Sequence, residues 1–114
     1  MNDYVFWIIV GVCVVVMLVN RTRGKADPDE AHRLVESGAL LVDVRSPGEY
    51  AAGHVEGAVN IPVGELGGRL GELPDRGRAV VVYCASGMRS AAAKKVLMNA
   101  GFTTVLDLGP MSRW

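Results

Sequence analysis

The residues best suited to chemistry lie between an apolar run and a helix start: Tyr83-Cys84-Ala85-Ser86-Gly87-Met88-Arg89-Ser90. Ala79 to Tyr83, AVVVY, has the composition of a strand buried on both faces, and it carries the Cys84 thiol to the carboxyl edge of a sheet. Beyond Cys84 the chain turns through small residues into a helix. Successive backbone N–H groups of such a turn point into one concavity and form an anion-binding nest. The helix start adds the positive end of its dipole, and Arg89 adds a full charge. A thiolate gains from all three. A free thiol is only about 3% ionised at pH 7, and making the thiolate its major form takes a shift of roughly two units, about 2.7 kcal/mol. A helix terminus contributes about 0.3–1 kcal/mol, or ~2 when partly buried, which leaves the rest to the nest and Arg89. The competing reading is a buried, inert core cysteine, the commoner fate of a free thiol.

Several elements must hold that loop in place. Asp27-Pro28-Asp29-Glu30 predicts a helix start, with Asp27 as N-cap and Glu30 as capping-box partner, and Gly38 predicts its stop. Ala39 to Val44, ALLVDV, predicts a buried strand interrupted only by Asp43. Ser46-Pro47-Gly48-Glu49 repeats the capping logic for a short helix from Pro47 to about Ala52, ending at Gly53. Ala58 to Ile61 predicts a short strand. Leu66, Leu70 and Leu73 suit a helix ending before Pro74, although Gly67 and Gly68 weaken it. A helix from about Ser90 to Asn99 and a strand from Thr103 to Leu108 complete the pattern. Strands and helices alternate, so the expected fold is α/β with a mostly parallel central sheet flanked by helices. Sites in such folds lie beyond the carboxyl ends of strands, where Cys84 stands.

The N-terminal part is different in kind. Residues 4–19, YVFWIIVGVCVVVMLV, carry no charged side chain and span roughly 24 Å as a helix, slightly short of a ~30 Å hydrocarbon core. The expectation is an uncleaved transmembrane anchor over residues 1–20, then a basic juxtamembrane linker over 21–26 and one domain over 27–114. A signal peptide wants a basic start and a small-residue cleavage site, and the chain has neither. Arg21, Arg23 and Lys25 follow the run and nothing basic precedes it, which predicts the domain on the cytoplasmic side. The net charge is zero with no basic stripe, so nucleic-acid binding is not expected. The two cysteines, Cys13 and Cys84, fall in different parts of the chain, and an intradomain disulfide is excluded. His32, His54 and Cys84 lack ligand-like spacing, so neither a metal site nor a cofactor is expected.

Three stretches carry a family likeness. Leu41-Val42-Asp43-Val44-Arg45-Ser46-Pro47-Gly48-Glu49-Tyr50 with Gly53-His54-Val55-Glu56-Gly57-Ala58-Val59-Asn60-Ile61-Pro62 resembles the paired opening motif of rhodanese domains. Val82-Tyr83-Cys84 through Arg89-Ser90 resembles their active-site loop, and Ala100-Gly101-Phe102 through Leu108-Gly109 and Trp114 is similar to their closing segment. The resemblance implies a rhodanese-like domain and a sulfurtransferase mechanism. Cys84 would take the outer sulfur of a small donor such as thiosulfate as a persulfide. A thiol acceptor, or cyanide in an assay, would then remove it, which is two-step covalent catalysis. N–H groups of Ala85, Ser86, Gly87, Met88, Arg89 and Ser90 would hold the persulfide and the donor's oxygens, with Arg89 neutralising donor charge.

Asp43 and Arg45 flank a strand end and suit either a structural ion pair or a brace for the loop, His54 suits a hydrogen-bonded supporting role, and Met88 suits the pocket mouth. Many rhodaneses carry a basic residue just after the cysteine, where this chain has Ala85 and Ser86, and two closing glycines, where it has Gly109-Pro110. Two other functions fit parts of the pattern. A catalytically weak rhodanese-fold module could bind or sense a partner at the membrane. A cysteine phosphatase or arsenate reductase is disfavoured because four residues separate Cys84 from Arg89, where cysteine phosphatases have five.

Overall fold

The structure, a computed structural model, describes residues 2–22 and 24–114, without the side chains of residues 18–22. Helix α1 covers Asp3–Thr22. Its apolar side chains stand in the open, with Tyr4, Trp7 and Met17 each about 70% exposed. Among the described residues no helix is long and apolar enough to cross a membrane, so the span expected over residues 4–19 is not shown. Part of that span, and Arg21 and Arg23 on which its orientation rests, lie outside the described side chains.

The rest alternates helix and strand. Helix α2, Pro28–Glu36, begins on Asp27, whose carboxylate accepts the Asp29 N–H at 3.0 Å. Strand β1 is Leu40–Asp43 and helix α3 is Pro47–Ala52. The capping box at the start of α3 is complete: Ser46 accepts from the Glu49 N–H while Glu49 accepts from the Ser46 N–H. Strand β2 is Val59–Asn60, helix α4 is Val63–Leu66, strand β3 is Val80–Cys84, helix α5 is Met88–Asn99 and strand β4 is Val105–Pro110. The helix expected through Leu73 is broken instead. α4 stops before Gly67-Gly68, and only a 3-10 turn, Leu70–Glu72, follows. Two adjacent glycines lose too much backbone entropy to hold a helix together there. After β4 comes a single 3-10 turn, Met111–Arg113.

The four strands form one sheet in the order β2-β1-β3-β4, and every pairing is parallel. Alternation along β3 decides which layer each side chain joins. Val80, Val82 and Cys84 face a core completed by Leu66, Ala93, Leu97 and Phe102, whereas Val81 and Tyr83 face one completed by Ala31, Leu41, Ala58 and Leu108. Every residue of β3 is buried, as expected of a central parallel strand covered on both faces. Cys84 therefore ends β3 on the α5 side, directly before the loop that becomes α5.

Candidate active site

The site is built where β3 ends. Cys84 has no exposed surface. Its Sγ lies 2.9 Å from the Gly87 nitrogen and 3.4 Å from the Ser90 nitrogen, and both N–H groups donate to it. The thiol in turn donates to Ser90 Oγ at 3.5 Å, and the Ser90 hydroxyl donates to the Gly87 carbonyl at 3.1 Å. Gly87 makes the turn possible. It precedes the first turn of α5 with φ at +100°, a region that side-chain-bearing residues avoid. Burial pushes the Cys84 thiol up. In the ionised form, the Ser90 hydroxyl turned toward the sulfur and the backbone N–H groups of Ser90, Gly87 and Ser86 outweigh that cost, and its pKa lies below the ordinary thiol value. A cysteine buried for packing alone would have only the first of these influences. The geometry is that of a stabilised thiolate at a helix start.

Of the loop residues marked in the sequence, Gly87 and Ser90 reach the sulfur directly, and Ser86 contributes its backbone dipole. Met88 points outward and is 80% exposed. The Ala85, Met88 and Arg89 N–H groups make no hydrogen bond to Sγ. Arg89 has a partner that the sequence did not indicate. Its guanidinium is held by Glu49 of α3 in a two-pronged pair, Nη1 to Oε1 at 2.6 Å and Nη2 to Oε2 at 3.0 Å. Arg89 therefore ties α5 to α3 instead of standing free for a donor. Arg89 together with the Ser46 cap draws the Glu49 carboxyl down to about 2.

Asp43 and Arg45 form an ion pair, and it is a buried one. Arg45 Nη2 and Nε reach Asp43 Oδ2 at 2.7 and 3.1 Å, and Nη2 also bonds the Gly53 carbonyl at 2.7 Å. Asn60 donates to the carbonyls of Asp43 and Arg45 at 3.0 and 2.9 Å. Asp43 pairs in register with Tyr83, so the brace stiffens the strand end one residue before Cys84. His54 lies further off. Its ring stacks on Tyr50 at 3.7 Å, and Nδ1 donates to the Tyr50 carbonyl at 2.9 Å, closing the end of α3.

Lys25 is a residue whose place the sequence did not indicate. Rather than a solvated linker charge, it is a buried ammonium 2.6 Å from Asp107 Oδ2 and 2.7 Å from the Gly87 carbonyl. Asp107 held the only advance signal. A carboxylate within a buried strand must find a counter-charge, but nothing local names which. Glu49 was equally hidden, because its capping role accounts for it without Arg89.

A parallel α/β sheet that presents a cysteine to the first N–H groups of the following helix is the architecture of the rhodanese-like domains. Residues 27–114 match the profile described as the rhodanese-like domain, and the chain belongs to that family. It is 42% identical over 69 residues to the thiosulfate sulfurtransferase PspE of Escherichia coli strain K12, covering 60% of this chain and 66% of that one. It is 32% identical to the thiosulfate:glutathione sulfurtransferase of Saccharomyces cerevisiae over 109 residues, 84% of this chain and 72% of that one. A human single-domain sulfurtransferase superposes with a TM-score of 0.68 at 30% identity, covering 80% of this chain and 91% of the other. These relatives support sulfur transfer as the general chemistry.

Proposed function

We propose that the chain is a rhodanese-type sulfurtransferase that carries sulfur on Cys84. The observation that bears most weight is the pair of N–H donors, Gly87 and Ser90, aimed at Sγ from the start of α5. In the first step the Cys84 thiolate attacks the outer sulfur of a donor such as thiosulfate. The donor's S–S bond breaks, sulfite leaves with the bonding pair, and a persulfide remains on the enzyme. In the second step a thiolate acceptor, or cyanide in an assay, attacks the outer persulfide sulfur and regenerates the Cys84 thiolate. Loop residues Ala85 to Ser90 surround the persulfide and the donor's oxygens, and Asp43, Arg45 and His54 hold the surrounding frame. Cys84 is fully covered, so a donor reaches the sulfur only when the groups packed around it give way.

Mass spectrometry of the full chain after incubation with thiosulfate, beside Cys84→Ser, tests this. A gain of one sulfur (~32 Da) on the Cys84 peptide, absent from the variant and removed by cyanide, is the expected result. Folded protein that gains no sulfur from thiosulfate, mercaptopyruvate or polysulfide would leave a non-enzymatic binding module as the better reading.

The N-terminal segment is proposed as a single-pass membrane anchor with the domain on the cytoplasmic side. Support comes from the charge-free run over residues 4–19, the exposed apolar surface of α1, and Arg21 and Arg23 after it in the sequence. Partitioning of the full chain into the membrane fraction, resistant to alkaline carbonate, is expected. Extraction by carbonate would refute the anchor.

A further inference from the structure

Lys25 lies before the first helix of the domain, yet its side chain ends beneath the active-site loop. Its stem runs between two glycines with positive φ. A Cβ on Gly109 would stand 3.1 Å from Lys25 Cδ, and one on Gly87 would stand 3.3 Å from Cε. Both approaches are close, and the positive φ at each glycine disfavours a side chain there in any case. The ammonium then divides its donors between Asp107 Oδ2 at 2.6 Å and the Gly87 carbonyl at 2.7 Å. The neighbouring backbone is fastened as well: the Ala26 N–H donates to the Asp107 carbonyl at 2.7 Å, and Arg113 donates to the Ala26 carbonyl at 3.2 Å. Asp107 is itself locked, since its Oδ1 accepts the Gly109 N–H at 2.9 Å.

The Gly87 carbonyl has three donors: Lys25 Nζ, Ser90 Oγ at 3.1 Å and the Ala91 N–H at 3.3 Å. The Ser90 hydroxyl has a single proton. While Cys84 is a thiol, that proton rests on the Gly87 carbonyl and the S–H rests on Ser90 Oγ. When the thiol ionises, the hydroxyl has to turn toward the sulfur, and the carbonyl loses one donor. Lys25, at 2.7 Å the shortest of the three, stays on the buried carbonyl through that exchange together with the Ala91 N–H. It also fixes the residue whose own N–H is the shortest contact to the sulfur.

We propose that Lys25 is a positioning residue of the sulfur site, holding the Gly87 carbonyl so that the Gly87 and Ser90 N–H groups face Sγ and the Ser90 hydroxyl can turn to the thiolate. This deepens the sulfurtransferase reading, on which it rests for its purpose though not for its test. The charged groups around the loop are Arg89 with Glu49, Asp43 with Arg45, and Lys25 with Asp107.

The test uses full chains carrying Cys13→Ser, so that Cys84 is the only thiol, and follows iodoacetamide modification against pH. The midpoint is compared in the parent, Lys25→Met, Asp107→Asn and the double variant. The double variant leaves no buried unpaired charge, which guards against loss of folding in Lys25→Met. With one hydrogen bond to the site lost, the midpoint should rise in both Lys25→Met chains, cutting the thiolate fraction at pH 7 about 5-fold. Asp107→Asn keeps the Lys25 bond to Gly87, and its midpoint should not rise. A folded double variant with the parent's midpoint, even with a lower melting temperature, would overturn the proposal. So would an Asp107→Asn midpoint raised as far as that of Lys25→Met. No sulfur donor is used, so failure of the sulfurtransferase reading would leave this result intact.

Discussion

The pairing of Arg89 with Glu49 makes a kinetic prediction that runs against the intuition that removing a site contact weakens an enzyme. A dianionic donor needs positive charge, yet the guanidinium nearest the loop already has both prongs on a carboxylate, at 2.6 and 3.0 Å. Recruiting Arg89 therefore means breaking that pair. Both side chains are about one-third exposed, so the pair is a surface one, for which equilibrium factors of about two to five are typical. Glu49→Gln should release the guanidinium while keeping an amide oxygen for the Ser46 N–H of the capping box, which leaves α3 intact. The expected result is a KM for thiosulfate lowered about two- to five-fold, with kcat/KM raised by the same factor. Because the Glu49 carboxyl sits near 2, the effect should be constant across neutral and mildly acidic pH. The assay is steady-state thiosulfate–cyanide kinetics, run alongside Arg89→Ala and the double variant as a cycle. An unchanged or raised KM in Glu49→Gln would refute the reasoning and confine Arg89 to tying α5 to α3.

Other outcomes follow from the same contacts. Ser90→Ala should raise the Cys84 pKa and cut the thiolate fraction at pH 7 about 5-fold, read from the pH dependence of thiolate absorbance. Asp43→Ala leaves the Arg45 guanidinium buried without its partner and should cost about 3–5 kcal/mol in urea unfolding. Gly87→Ala forces a side chain to φ +100° and against Lys25, and should cost upwards of about 1–2 kcal/mol by the same measurement. The Glu49 carboxyl is depressed on folding. Its contribution to stability is therefore present above its ordinary 4.5 and lost as pH falls toward about 2, and the stability gap between the parent and Glu49→Gln should close over that interval.

Much of the frame was legible because local rules govern it. The capping residues Asp27 and Ser46 placed two helices within a residue of where they start, and the continuous apolar runs placed β1 and β3. The Cys84 nest was legible for the same reason. A strand, a small-residue turn and a helix in succession leave the first N–H groups little choice of direction. Boundaries set by weaker local signals moved: α4 ended early at Gly67-Gly68, and β4 ran on through Pro110, which pairs with Cys84.

What the sequence determined by itself, then, was the order of the elements, the parallel α/β class and the cysteine at a strand's carboxyl end. These depend on periodicity and capping within a few residues. Only the tertiary structure decided the electrostatics around that cysteine. Arg89 reached 40 residues back to Glu49, and Lys25 reached 62 residues forward to Gly87 and 82 to Asp107. The chain has 12 basic and 12 acidic side chains, and their types are interchangeable until packing brings particular ones together. A buried charge must be paired, but which partner it finds is a property of the sheet order and the loop paths that fold around it.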